Sequence, residues 1–186
     1  MKISEFINLS VGEWFSQRTN YNLNQQTAEN AKANLTIELL EANHPQITPI
    51  CQQHQLDSNL IVGSLKHSWD NSVDWGKPKQ QGSALIIFLA EEDNTEQGKI
   101  IQIATGTNSG VSFGQYLLAQ DQALTLTLKM EQIEAQERLW FASDNLRLRT
   151  TMVKESTGTM QTAFYSEIRK ITQKTQSIPT NAATNA

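Results

Sequence analysis

The stretch from Glu137 to Thr150 constrains the fold of this chain more than any other. It reads as two apolar strands, Glu137 to Phe141 and Leu146 onward, joined by the turn residues Ser143-Asp144-Asn145. At the two-residue period of a strand, Arg147, Arg149 and Thr151 share one face, and Leu146, Leu148 and Met152 share the other. One of those faces has to look inward. If the leucines pack against a helix or a neighbouring molecule, the arginines line an internal pocket, where a planar donor fork suits a carboxylate. The other reading is a solvated arginine face opposite a leucine core, the commoner fate of arginine.

The rest of the chain repeats this pattern. Alternating or apolar segments recur at Gly12-Glu13-Trp14 onward, Ala33 to Leu40, Leu60 to Trp69, Ala84 to Ala90, Ile100 to Thr105, Ser112 to Ala119, Ala123 to Met130 and Thr159 to Ile168. Turn signals separate them, among them Asp70-Asn71-Ser72, Gln81-Gly82, Asp93-Asn94, Asn108-Ser109-Gly110, Asp121-Gln122 and Thr157-Gly158. Two short helices complete the reading. Ile3, Phe6, Ile7 and Leu9 have amphipathic spacing with Ser4 as the expected N-cap, and Pro45 to His54 tolerates proline near its start. The expected fold is mainly β: a single antiparallel barrel of about nine or ten strands over residues 1–171, with a short N-terminal helix and one further short helix. A barrel of that size can hold one small ligand. Residues 172–186 lack periodicity and aromatic side chains and are expected to be a disordered tail.

Bulk properties exclude several classes. A net charge of −4 argues against nucleic acid as a partner. The longest apolar run, Ala84 to Ala90, is far short of the roughly 20 residues a membrane helix needs, so no membrane insertion is expected. Glu5 stands where a signal peptide would carry apolar residues, and a lone cysteine, Cys51, cannot form an internal disulfide. The expected location is therefore the cytoplasm.

Three segments together resemble the S/U type of phycobiliprotein lyase. They are the Glu137–Thr150 stretch, Trp14-Phe15-Ser16-Gln17-Arg18-Thr19 near the start, and Ser166-Glu167-Ile168-Arg169 near the end. The resemblance extends over residues 1–171. Such lyases attach open-chain tetrapyrroles (bilins) to cysteines of light-harvesting proteins. The glycine two before Trp14 is also the opening of lipocalin-type barrels, in which the indole closes the floor of a cup. The resemblance implies a lipocalin-like (calycin) barrel whose substrate is phycocyanobilin or a related bilin, with no resident cofactor and no metal. The implied acceptors are phycobiliprotein subunits: phycocyanin, allophycocyanin or phycoerythrin. Monomer, homodimer and heterodimer with an S-type subunit stay open.

Candidate residues follow from what a bilin requires: arginine forks for its propionates, a carboxylate near its pyrrole nitrogens and aromatic rings along its conjugated edge. By resemblance, Arg18, Arg147 and Arg149 occupy the places of pocket arginines, Trp69 and Trp75 those of pocket tryptophans, and Glu137 that of a pocket carboxylate. Asp70 and Asp74, beside the tryptophans, are alternative acids, although aspartate also forms turns. His67 is read as a wall residue of the pocket. Tyr21 marks a departure, because many relatives carry histidine there, and a phenol does not shuttle protons near neutrality as imidazole does. The chain is then either an active lyase without that histidine or the U-type partner of an S-type subunit. His44 and His54 show no zinc spacing, and Cys51 is expected to be a small apolar residue packing on the barrel rather than a covalent carrier. A non-catalytic bilin carrier and a lipocalin-like binder of some other carboxylated apolar ligand are the remaining alternatives.

Overall fold

The computed structural model describes residues 1–91, 94–105, 110–130 and 132–171. The expected tail and parts of two expected turns lie outside the described residues. After helix α1 (Ile3–Ser10) come strands β1 (Gly12–Asn22) and β2 (Thr27–Leu40), then helix α2 (Thr48–Gln53) and a single 3₁₀ turn (Ser58–Leu60). The strands β3 (Ile61–Asp70), β4 (Gln81–Glu91), β5 (Asn94–Thr105), β6 (Gly110–Leu118) and β7 (Leu124–Met130) follow. The last three strands are β8 (Ile133–Ser143), β9 (Leu146–Glu155) and β10 (Met160–Arg169). Each strand pairs antiparallel with its sequence neighbour, and β1 pairs with β10 to close a barrel of ten strands. This is the architecture expected from the alternation.

The inward face follows from register. Trp14 stands opposite Leu35, Ile37 opposite His67, and Arg147 opposite Glu167. At one end the interior is solid. Phe6, Ile7, Trp14, Ile37, Phe88, Ile100, Leu126 and Leu139 are all buried in one cluster. Helix α1 supplies the first two of these and seals that end. Burying a side chain of this size is worth about 1.5 to 3 kcal/mol, so the plug anchors itself.

Details of α1 differ from the sequence expectation. Ser4 lies within the helix, not at its cap; the cap is Lys2, whose backbone N–H donates to Glu5 Oε2 at 2.8 Å. The Ile3 N–H donates to Glu96 Oε2 of β5 at 3.0 Å. Two carboxylates thus meet the unpaired N–H groups and the positive end of the helix dipole, so no hydroxyl cap is needed. At the other end Trp14 Nε1 donates to Ser10 O at 2.9 Å, and Arg169 donates to Val11 O at 2.6 Å and Leu9 O at 2.5 Å. The Arg169 guanidinium also lies 4.1 Å from the Trp14 ring centroid. Helix and floor are thereby tied to the last strand.

Helix α2 is shorter than its sequence suggested. It begins just ahead of Pro49, which has no N–H to give and is tolerated only in a first turn. Ile47 and Cys51 pack outside the barrel on Leu85, Ile87, Leu89 and Ile101. The continuous apolar run of β4 is explained by this double burial: Ile86 and Phe88 face the interior, and the alternate residues lie under α2. β2 starts at Thr27 rather than Ala33, and β8 at Ile133 rather than Glu137. Their polar ends pair through the backbone without burying an apolar face, so alternation of hydrophobicity does not reveal them.

Candidate functional site

At the end opposite α1 the barrel is hollow. Small residues, Ser16, Ala31, Ala33 and Ala84, stand where large ones fill the lower half, and a cavity of about 590 Å³ opens above Leu35 and Ile86. Its volume lies within the 300–1,000 Å³ range common for small-molecule sites. Polar side chains from six strands converge on it: Arg18 of β1, His67 of β3, Gln102 of β5, Glu137 of β8, Arg149 of β9 and Tyr165 of β10. The β3–β4 connection crosses the mouth. Asp74 Oδ2 accepts from the Lys32 N–H at 3.1 Å, and Lys77 pairs with Glu29 at 2.6 Å.

The charged base of the cavity is a network. Arg147 Nε donates to Glu167 Oε2 at 2.6 Å, with the two side chains 2% and 0% exposed. Arg149 lies 3.5 Å from both Glu137 Oε2 and Glu167 Oε1, and its guanidinium is 3.7 Å from the Tyr165 ring centroid. Stacking on Tyr165 fixes the guanidinium plane. Burial works against charge on the Glu167 carboxyl, but Arg147 and Arg149 overcome it and hold it below the ordinary carboxylate range. Burial also works against charge on Arg149, where Glu167 and Glu137 outweigh it and raise its pKa. His67, beside this network, is pushed down to about 3 by burial and then by repulsion from Arg147 and Arg149, so its imidazole is neutral.

The sequence candidates divide into groups. Arg18, His67, Trp69, Asp74, Glu137 and Arg149 all line the cavity. Arg147 faces the same interior but lies beneath the lining, sealed against Glu167 and 5.3 Å from the Trp14 ring centroid. Asp70 ends β3 and caps the turn that follows: its Oδ1 accepts from the Ser72 N–H at 2.9 Å and from Asn34 Nδ2 at 3.3 Å. Those Ser72 contacts hold its carboxyl below the usual range. Tyr21 points away from the cavity and is 45% exposed; Trp75, at the tip of the loop over the mouth, is 88% exposed. Neither lines the cavity.

Glu167, Tyr165 and Gln102 escaped sequence reasoning as site residues. The signal for the first two was the i, i+2 spacing of Ala163, Tyr165 and Glu167 in β10, but only the register with β9 puts Glu167 opposite Arg147 and Tyr165 opposite Arg149. Among the described residues, no cluster of histidine, cysteine or carboxylate side chains is placed to hold a metal ion. No helix there is long and apolar enough to cross a membrane.

Fold and site define a one-mouthed antiparallel barrel with a polar, charge-paired pocket, a ligand-binding cup. A family model described as CpeS-like protein matches residues 2–170, and the chain belongs to that family. It is 37% identical to the chromophore lyase CpcS/CpeS of Thermosynechococcus vestitus, covering 91% of this chain and 93% of that one. Identity to the chromophore lyase CpcS/CpeS 1 of Synechocystis is 38%, with 92% of each chain covered. The phycocyanobilin lyase subunit CpcS of Picosynechococcus is 35% identical, over 89% of this chain and 84% of that one. The solved structure of the S-type phycobiliprotein lyase CPES from Guillardia theta matches with a TM-score of 0.80 at 23% identity, covering 93% and 95% of the two chains; that likeness speaks to the fold.

Proposed function

We propose that this chain is a chromophore lyase that binds an open-chain tetrapyrrole, phycocyanobilin or a close relative, and promotes its thioether attachment to a cysteine of a phycobiliprotein subunit. The observation that carries the reading is the cavity itself. It joins apolar walls (Leu35, Ile86, Trp69) to guanidinium and carboxylate groups on facing strands, as a long conjugated pigment with two propionates requires. The names of the relatives point the same way.

The attacking thiol belongs to the acceptor, so the chain needs no nucleophile of its own. Addition is balanced without an oxidant: the sulfur bonds to the ethylidene carbon of the terminal ring, and the thiol proton is delivered to the ring carbon of the former double bond. Glu137 is the carboxylate best placed to favour the cationic, more electrophilic tetrapyrrole, with Asp74 at the mouth as the alternative acid. Orientation and shielding supply the selectivity that free pigment lacks. The acceptor cysteine stays reduced in the cytoplasm, the compartment proposed for this protein.

Mixing the protein with phycocyanobilin and an apo-phycobiliprotein subunit tests the proposal. A red-shifted, sharpened absorption followed by a denaturation-resistant adduct on the subunit is expected. Binding without transfer would favour a carrier, or a U-type subunit that needs an S-type partner; Tyr21 in place of the first-strand histidine motivates that second reading. Fatty-acid binding without any effect on the pigment would refute both.

A further inference from the structure

The inward charges at the base of the cavity already cancel. Arg147 and Arg149 are matched by Glu167 and Glu137 within 3.5 Å. A ligand carboxylate placed there would compete with two resident carboxylates and add an uncompensated negative charge beside the sealed Arg147–Glu167 pair. What the base lacks is of another kind. His67 Nε2, Arg149 Nε and Glu167 Oε1 are shielded from solvent and without a hydrogen-bond partner, the last with its charge balanced by Arg149 Nη2 at 3.5 Å. Arg149 Nε can only donate, whereas a neutral imidazole offers one donor and one acceptor nitrogen. An uncharged amide edge, with one C=O and one N–H, meets both needs.

The mouth is the opposite case. Arg18 follows Trp14 and Ser16 on the inward face of β1, reaches the exposed rim, and makes no ion pair among the described residues. Of the two guanidiniums that line the cavity, Arg18 and Arg149, it is the one without a carboxylate partner. A linear tetrapyrrole carries its propionates on the two middle rings and a lactam at each end, so its charges and its amide edges are separated along its length.

We infer that the pigment enters end-first, one terminal lactam hydrogen-bonding to His67 and Arg149 at the base while the propionates stay at the mouth on Arg18. The inference rests on the bilin reading above and moves the carboxylate contact from Arg149 to Arg18. It also sets direction. The ring with the ethylidene group is the one left at the mouth, because the acceptor thiol arrives on another protein and α1 seals the other end.

The test uses the full chain with phycocyanobilin and its dimethyl ester, titrated by absorbance. Wild type should prefer the diacid. Arg18→Ala should lose roughly tenfold for the diacid and little for the diester, erasing the preference. His67→Leu should weaken both pigments by a similar factor, roughly tenfold, and keep the preference, with an unchanged circular dichroism spectrum. An undiminished preference in Arg18→Ala would overturn the inference, as would unchanged affinities in His67→Leu or a preference lost there. Absence of any spectral response in wild type to either pigment would instead refute the bilin reading, and the inference with it.

Discussion

Arg147 and Glu167 form a sealed ion pair across β9 and β10, Nε to Oε2 at 2.6 Å, with neither side chain reaching solvent. Removing one partner leaves the other charged in a dry interior. Arg147→Leu or Glu167→Leu should therefore cost about 3 to 5 kcal/mol in urea unfolding, whereas the double change should recover most of it. A small loss in each single variant would mean that water reaches the pair.

The acid side of the stability profile is set by His67. In the unfolded chain a histidine takes up its proton near pH 6.5; in the fold the value is about 3. Between those values the unfolded state holds the extra proton, so stability is full above pH 6.5 and declines as pH falls toward 3. Glu167 acts in the same direction: its lowered value contributes stability above the ordinary carboxylate range, lost as pH falls through the folded value. His67→Leu should flatten the dependence of melting temperature between about pH 6 and 4.5. Parallel curves for variant and wild type would show that His67 does not titrate differently in the fold.

Gly12 adopts φ of +132°, and a Cβ there would stand 2.7 Å from Arg169 Nη1. Gly12→Ala should thus cost about 1 to 3 kcal/mol and loosen the clamp on α1. Faster amide exchange in Ile7–Ser10, with barrel strands still protected, is the expected signature.

Cys51 is buried on the barrel-facing side of α2, against the outer wall, and burial pushes its thiol up, away from thiolate. Cys51→Ser should keep pigment binding and transfer. Pigment found covalently on this chain and lost in the serine variant would reverse the assignment.

Tyr21 faces outward from β1, opposite Thr162 of β10. Tyr21→Phe is expected to leave pigment affinity within twofold of wild type in an absorbance titration. A tenfold loss would bring this side chain to the ligand after all.

The sequence disclosed the barrel because its strands alternate or, in β4, are apolar on both faces. It also placed Arg149, Glu137, Arg18, His67 and Trp69 together, through period-two spacing and family resemblance. What it could not disclose depends on register. Arg147 and Arg149 look equivalent two residues apart, yet one step along β9 separates a side chain matched to Glu167 and sealed from one that lines the cavity. Of the two covers considered for the leucine face of β9, a helix or a neighbouring molecule, α1 is not the helix: it plugs the barrel end, and Met152 on that face is 47% exposed. Trp75 illustrates the same limit, since nothing in a loop sequence says whether its ring turns toward the mouth or away from it.

Closure of β1 onto β10 has a consequence for recognition. Where the ladders close, the described strands are paired on both sides, and the edge left for a visiting strand is the stretch 27–33 of β2, which runs past the end of β3 and is partly met by Asp74 and Lys77 of the β3–β4 connection. Over the rest of the wall, whatever docks has to be read by side chains. Surface substitutions such as Phe164→Ser or Ile168→Ser, on outward positions of β10, can therefore alter partner choice one residue at a time while the backbone ladder stays intact.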